Sequence, residues 1–379
     1  MKQEIHIANG SIHLIGDILQ RIAPKSVFLV HDKAAYSLSG AETALTEILH
    51  PYQVCHFCKF EYNPRIEDVE RGLELFRQGK YDVVIAVGGG SVLDMGKLIR
   101  IMAAQDASPA AIVKVQRNIQ QRGIPLIAIP TTAGTGSEAT HFAVVYIDKI
   151  KYSVAHEYML PDIAIVDPAL TQSMPPKLTA VTGMDALSQA IESYWSVNST
   201  DESKAYAREA IELVMQNLER SVHEPSQDTR YAMCKAAYMA GRAINISKTT
   251  APHAISYTLT SYFGIPHGHA VGLTLGEFLV YNSEVSNADI EDLRGFEYVR
   301  STIEDLCNLL GAHDADSAKQ QVKNLMKSIG LETKFELLGI TDDESFKLIV
   351  DNVNLERLKN NPRKLSKSSL VNIFRKFIS

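Results

Sequence analysis

Up to Asp167 the chain alternates short apolar runs with helical patterns. The runs Ser26–His31, Asp82–Val87, Pro125–Pro130 and Ile163–Asp167 are rich in β-branched residues and carry little polar alternation. They predict strands covered on both faces, the mark of a parallel sheet in an α/β domain. After Met174, Pro175 and Pro176 the texture changes to long amphipathic stretches such as Asp201–Arg220 and Thr229–Ile246, with few strand-like runs. Two successive prolines continue neither a helix nor a central strand, so they suit a hinge. The expected organisation is an α/β domain over residues 1–177 followed by an all-α domain over 178–379.

A length of 379 residues favours two cores over one. Hydrophobic residues at 45% and charged residues at 22% place the chain among folded globular proteins rather than disordered ones. A net charge of -6 offers no long-range attraction to phosphate polymers, so nucleic acid is not an expected partner. The one basic run, Arg357 to Lys376, reads as a solvated helical face. Met1 to Gly10 lacks the charged leader and apolar run of a secretion signal, and no apolar stretch approaches membrane-spanning length. Cys55 and Cys58 form a lone C-x-x-C in VCHFCKF, without a second pair for zinc. That fits a buried strand with reduced thiols, in a cytoplasmic protein.

Candidate chemistry begins where the second run, DVVIAV, meets Gly88, Gly89, Gly90 and Ser91 and then the helical stretch Val92–Ala104. Bare backbone at a strand end turns sharply and approaches a ligand closely, and the free N–H groups of the next helix attract an anion such as a pyrophosphate. The pattern is not G-x-G-x-x-G. A second cluster, Pro130, Thr131, Thr132, Ala133, Gly134, Thr135, Gly136 and Ser137, also follows a strand, and two such loops point to a dinucleotide. At the end of the first run Asp32 could accept ribose hydroxyls and repel a 2′-phosphate, favouring NAD(H) over NADP(H), or it could cap the next helix.

In the second half, Asp185 and Gln189 are one helical turn apart, so both can point from one face to a common centre. His253 opens an apolar helical pattern and His267 lies in Pro266-His267-Gly268-His269. A carboxylate and two imidazoles can hold a divalent transition metal with positions left open for a substrate oxygen, although spacing alone does not establish that they do.

The set GGGS at 88–91, PTTAGTGSE at 130–138, PDIAIVDP at 161–168, GMDALSQAIES at 183–193 and PHG at 266–268 closely resembles iron-containing alcohol dehydrogenases, in order and spacing along essentially the whole chain. The resemblance implies a Rossmann-like N-terminal domain joined to an all-helical domain, the architecture shared with dehydroquinate synthase, and a homodimer. It implies Asp185, Gln189, His253 and His267 as ligands for Fe2+ or Zn2+. It places Asp32, Gly89, Gly90, Ser91, Asp94, Thr131, Thr132, Thr135 and Lys151 at cofactor positions. Family members commonly carry histidine where this chain has Gln189 and Tyr257. A carboxamide oxygen is a harder, weaker donor than an imidazole. Water, or a relay involving Tyr257, one turn after His253, or His269, is the expected proton source.

The reaction implied is reduction of an aldehyde to a primary alcohol with hydride from the nicotinamide. Just before His253, the residues Arg242, Asn245, Lys248 and Thr249 offer donors suited to a phosphonate or carboxylate on a short aldehyde, or else are ordinary solvated positions. KTTAPHAISYTLTSYFGIPHGHAV, together with Gln189, resembles the phosphonoacetaldehyde reductase subgroup, which implies phosphonoacetaldehyde as substrate and 2-hydroxyethylphosphonate as product. The rival readings are a general short-chain alcohol dehydrogenase of the 1,2-propanediol or butanol type, a lyase like dehydroquinate synthase, and a silent scaffold.

Overall fold

The computed structural model describes residues 3–115, 119–148 and 150–375. The ends of the expected domains, and Lys376 at the end of the basic run, lie outside the described residues. By internal contacts the chain divides into two compact units, one of residues 1–174 with 226–238 and one of 175–225 with 239–379. A single cut at 177 therefore misses one segment, because the first part of the helix Gln227–Ser247 groups with the α/β unit.

The first unit is built on strands β1 (Glu4–Ile7), β2 (Ser26–His31), β3 (Gln53–Phe57), β4 (Val83–Gly88), β5 (Leu126–Pro130) and β8 (Ile163–Val166). They form one sheet in the order β1-β8-β5-β4-β2-β3, with every pairing parallel. Strands β6 (Phe142–Ile147) and β7 (Ile150–Ala155) form a separate antiparallel pair. The central strands β2, β4 and β5 are buried along their whole length, which is why they read as continuous apolar runs. In β2, Phe28 and Val30 pack into one core and Val27 and Leu29 into another, as the alternation of side chains across a strand requires. The Cys55 strand was expected to be buried, but β3 is at the sheet edge and Cys55 and Cys58 are half-buried.

From β2 the chain first adds β3 on one side and then β4 on the other. The order thus reverses between β2 and β4, and ligands of open α/β sheets bind outside the carboxyl ends of strands at such a point. His31 pairs with Val87 across this boundary, so Asp32 and the Gly88–Gly90 turn emerge side by side.

The second unit is helical among the described residues. Pro175 and Pro176 stand at the boundary between the two units, Pro175 at the N-cap and Pro176 in the first turn of the helix Pro176–Trp195, where a missing N–H costs nothing. The helix Asp201–His223 opens with a Thr200–Ser203 capping box and packs on it. The basic run is broken into the short helix Leu355–Leu358 and the helix Lys367–Arg375. It is not one solvated face, since Arg363 is paired with Asp289 and Glu284, and Arg357 lies on Tyr257.

Two glycines set how closely helices approach Pro176–Trp195. A Cβ on Gly183 would sit 2.2 Å from Leu218, and one on Gly268, in the helix His267–Ser283, would sit 2.0 Å from the Val181 carbonyl oxygen and 2.9 Å from Asp185 Cβ. The second obstacle is backbone, which cannot swing aside as a side chain can. We expect Gly268→Ala to destabilise the protein by about 1–3 kcal/mol through this overpacking, read as a thermal midpoint lower by several degrees. An unchanged midpoint would show that the two helices separate there without cost.

Candidate functional site

Asp185 and Gln189 project from one face of Pro176–Trp195, His253 lies in the first turn of the helix Ala251–Phe263, and His267 begins the helix His267–Ser283. The structure brings the three charged or imidazole donors together: ligand atoms of Asp185, His253 and His267 all lie within 4.8 Å of one another. The Asp185 Oδ1 atom is 3.3 Å from His253 Nε2 and 3.9 Å from His267 Nε2. Asp185, Gln189 and His253 are each only 4% exposed.

Three of the inward atoms, Asp185 Oδ1, Gln189 Oε1 and His253 Nε2, are buried with no hydrogen-bond partner. Leaving one buried polar atom unpaired costs about 1–3 kcal/mol, so three at one point call for a common partner. A divalent transition cation fits a donor set of one carboxylate, two imidazoles and an amide oxygen. The electrostatics agree. Burial pushes the Asp185 carboxyl up, but the facing His253 and His267 imidazoles hold it below its ordinary value. Burial pushes His253 down, yet Glu192 and Asp185 carry it up to about 9. The pocket attracts positive charge, whether proton or cation.

Glu192 has no place in the reading of the sequence and is central in the structure. It is fully buried, its Oε1 accepts from His253 Nδ1, and its Oε2 accepts from the Thr250 N–H at 2.6 Å and the Thr250 hydroxyl at 2.9 Å. Trp195 Nε1 donates to that hydroxyl at 2.8 Å. With Nδ1 of His253 bound to Glu192, Nε2 is left facing the centre, the arrangement that fixes a metal-binding tautomer. The signal was the register: positions 185, 189 and 192 share one helical face.

Tyr257 reaches the same neighbourhood, with its ring parallel to the His267 imidazole at 5.9 Å between centroids. Its hydroxyl accepts a hydrogen bond from Arg357, and burial raises its pKa in spite of that cation. His269 is not brought to the centre. It lies two residues after His267, on another face of the helix, and its Nε2 is hydrogen-bonded to the Glu332 carbonyl at 2.6 Å. The four anion-binding candidates lie along the end of the helix Gln227–Ser247 and just after it. Arg242 donates to the Tyr206 hydroxyl at 2.7 Å and is 3.6 Å from Glu202, Lys248 is exposed at a positive φ of 63°, Thr249 gives its carbonyl to Asn360, and Asn245 is half-buried in the same helix as Arg242.

In the first unit, Gly89 is the N-cap of the helix Gly90–Ala103. A Cβ on Gly90 would lie 2.8 Å from Thr135, so the two glycine-bearing loops touch. Thr131 Oγ1 is buried without a partner, and Thr132 lines the space beside Gly89. The Asp94 carboxylate accepts from the Ser137 hydroxyl at 2.7 Å and the Val144 N–H at 2.9 Å, with the charge of Lys151 on β7 acting on it. Ser91 Oγ accepts from the Asn63 N–H, and Asp32 caps the short helix Lys33–Leu38 through Ala34 and Ala35. Asp32 is thus a helix cap at the carboxyl end of β2. Lys97 went unnoticed in the sequence. It is fully buried and donates to Ser137, Thr140 and the Phe142 carbonyl, tying the second loop to the helix.

If Glu192 orients His253, then Glu192→Gln should weaken metal binding by about 10–100-fold while the protein stays folded, measured by competition with a chromophoric chelator. Wild-type affinity in that variant would remove Glu192 from the site.

Comparison with known proteins gives the same answer from another direction. A model of iron-containing alcohol dehydrogenases matches residues 2–168, and a model of the C-terminal part of that family matches residues 179–378. The chain is 35% identical to a phosphonoacetaldehyde reductase of Streptomyces viridochromogenes over 76% of its length and 74% of that protein's. It is 30% identical to a 1,3-propanediol dehydrogenase of Klebsiella pneumoniae over 97% and 95%. Among solved structures, a sulfoacetaldehyde reductase from Bifidobacterium kashiwanohense in complex with NAD+ aligns at TM-score 0.88 and 33% identity, covering 100% of this chain and 97% of that one. Two family models that together span nearly the whole chain make this protein a member of the iron-containing alcohol dehydrogenase family.

Proposed function

We propose that this enzyme reduces a short anionic aldehyde to the primary alcohol with NADH, and that the substrate is phosphonoacetaldehyde, giving 2-hydroxyethylphosphonate. The observation that carries the reductase reading is the set of unpartnered buried donors, Asp185 Oδ1, Gln189 Oε1 and His253 Nε2, beside His267. The likeness to a phosphonoacetaldehyde reductase supports the substrate, and the sulfoacetaldehyde reductase structure supports a sulfonate as the second reading. The reading includes Fe2+ or Zn2+ at the centre and NADH in preference to NADPH, given Asp32 at the end of β2. It also includes a homodimer in the cytoplasm.

When bound, the divalent ion supplies a Lewis acid for the aldehyde oxygen and the dinucleotide supplies the hydride. The chain's own residues do the rest. Asp185, Gln189 and His267 would hold the ion with His253, whose Nε2 is aimed by Glu192 at Nδ1. Tyr257 keeps its proton, because its burial disfavours the phenolate, and its O–H can give that proton to the product oxygen while accepting from Arg357. In the first unit the Gly89–Ser91 turn offers helix N–H groups to the pyrophosphate, and the buried Thr131 hydroxyl offers an unused polar group.

A chelator should abolish aldehyde-dependent NADH oxidation, and added Fe2+ or Zn2+ should restore it. His253→Ala and His267→Ala should each reduce the rate to background, and full activity in both would refute the metal site. A lyase of the dehydroquinate synthase kind would consume no NADH. An efficiency with NADPH equal to that with NADH, instead of lower by roughly tenfold or more, would overturn the cofactor preference. Equal efficiency on phosphonoacetaldehyde and propanal would favour a general alcohol dehydrogenase.

A further inference from the structure

Arg357 differs from the other half-buried arginines of the second unit. Arg242 and Arg363 each lie within ion-pair distance of a carboxylate, Glu202 and Asp289 respectively. Arg357 is half-buried, and among the described residues it has no carboxylate partner and one side-chain hydrogen bond, to the Tyr257 hydroxyl. Its Cζ lies 4.9 Å from the centre of the Tyr257 ring, and that ring is stacked at 7° on His267, a member of the metal set. A guanidinium, a phenol and a ligand imidazole are therefore arranged in sequence beside the centre.

A half-buried cation has lost part of its hydration, and the usual return is a carboxylate. Here that partner is missing while the rest of the planar fork is unused. A guanidinium edge offers parallel N–H groups that match the oxygens of a tetrahedral anion. Arg242 is already engaged with Tyr206 and Glu202, and Lys248 is exposed and carries an ammonium rather than a planar fork.

We infer that Arg357 is the anion-recognition residue of this site, receiving the phosphonate or sulfonate end of a short aldehyde whose carbonyl lies at the metal centre. Tyr257 is the positioning residue that holds the guanidinium there. The inference rests on the anionic-aldehyde reading above and adds the residue responsible.

The test measures kcat/KM for phosphonoacetaldehyde, sulfoacetaldehyde and propanal in the wild type, Arg357→Gln and Arg357→Lys, with calorimetric titration of ethylphosphonate and ethanesulfonate as unreactive anions. In Arg357→Gln the ratio of anionic to neutral efficiency should fall by about 10- to 100-fold, mainly through KM, and binding of the matching unreactive anion should weaken to the same extent. Arg357→Lys, which keeps the charge without the fork, should lose part of that ratio and serves if the glutamine variant does not fold. The larger loss among the two anions identifies the natural headgroup. A wild type that prefers anionic aldehydes, with variants that keep that preference and bind the unreactive anions as before, overturns the role of Arg357 and leaves the substrate reading intact. A wild type that treats propanal and both anions alike overturns both.

Discussion

The approach of the helix His267–Ser283 to the helix Pro176–Trp195 governs the site. Gly268 lets the backbone come so near that a single methyl group would strike the Val181 carbonyl. That contact puts His267 next to Asp185, which is one turn along from Val181. The next position of the chain, His269, is thereby turned toward Glu332. A wider crossing would still bury apolar surface, but it would pull the imidazole away from the carboxylate. The family's Pro-His-Gly pattern thus has a steric content: the glycine is what makes the preceding histidine useful.

Close packing alone would leave an expensive site. Asp185, Glu192 and His253 are all buried, and burying charges without compensation costs several kcal/mol per ion. The structure offsets this unevenly. Glu192 is satisfied by His253, Thr250 and, through Thr250, Trp195. Asp185 and Gln189 keep an oxygen unsatisfied. The satisfied carboxylate fixes geometry and the unsatisfied atoms supply affinity, so the two acidic residues of one helix face have separate roles. The same division recurs in the α/β unit, where Lys97 is fully hydrogen-bonded and braces the loop, while Thr131 leaves its hydroxyl unpaired.

The central strands were legible because burial on both faces leaves a continuous apolar run, and β2 has the bounds its composition predicts. The less buried pieces were not. Glu4–Ile7 and β7 carry mixed polarity, so periodicity does not announce them, and the apolar run of β6, FAVVYI, is only alternately buried and was passed over. Of the site, Asp185 and Gln189 follow from helical spacing, whereas joining them to His253 and His267 needed the family pattern, since no local rule connects residues so far apart. Glu192 was hidden by its neighbours in an apolar helix, and its partner Thr250 is distant in sequence. Arg357 was misread because six further cations follow it in the sequence and suggest a wet face. Asn360, Asn361 and Pro362 break that face, leaving Arg357 on a separate turn against Tyr257.

Charge accounting connects the substitution at Gln189 to the placement of Arg357. An imidazole and a carboxamide are both neutral ligands, so Gln189 changes the strength of the donor set rather than its charge. With a divalent ion in place, the carboxylates of Asp185 and Glu192 would leave the centre formally neutral. The guanidinium of Arg357 would then be the uncompensated charge beside it, separated by one aromatic ring. A neutral aldehyde would gain nothing from that charge, and the enzyme would bear the cost of keeping it half-buried. An aldehyde with an anionic end would neutralise it and in doing so would be held with its carbonyl toward the centre. On the proposed reading, the charge at one end of the substrate and the carbonyl at the other thus answer two separate features of one site.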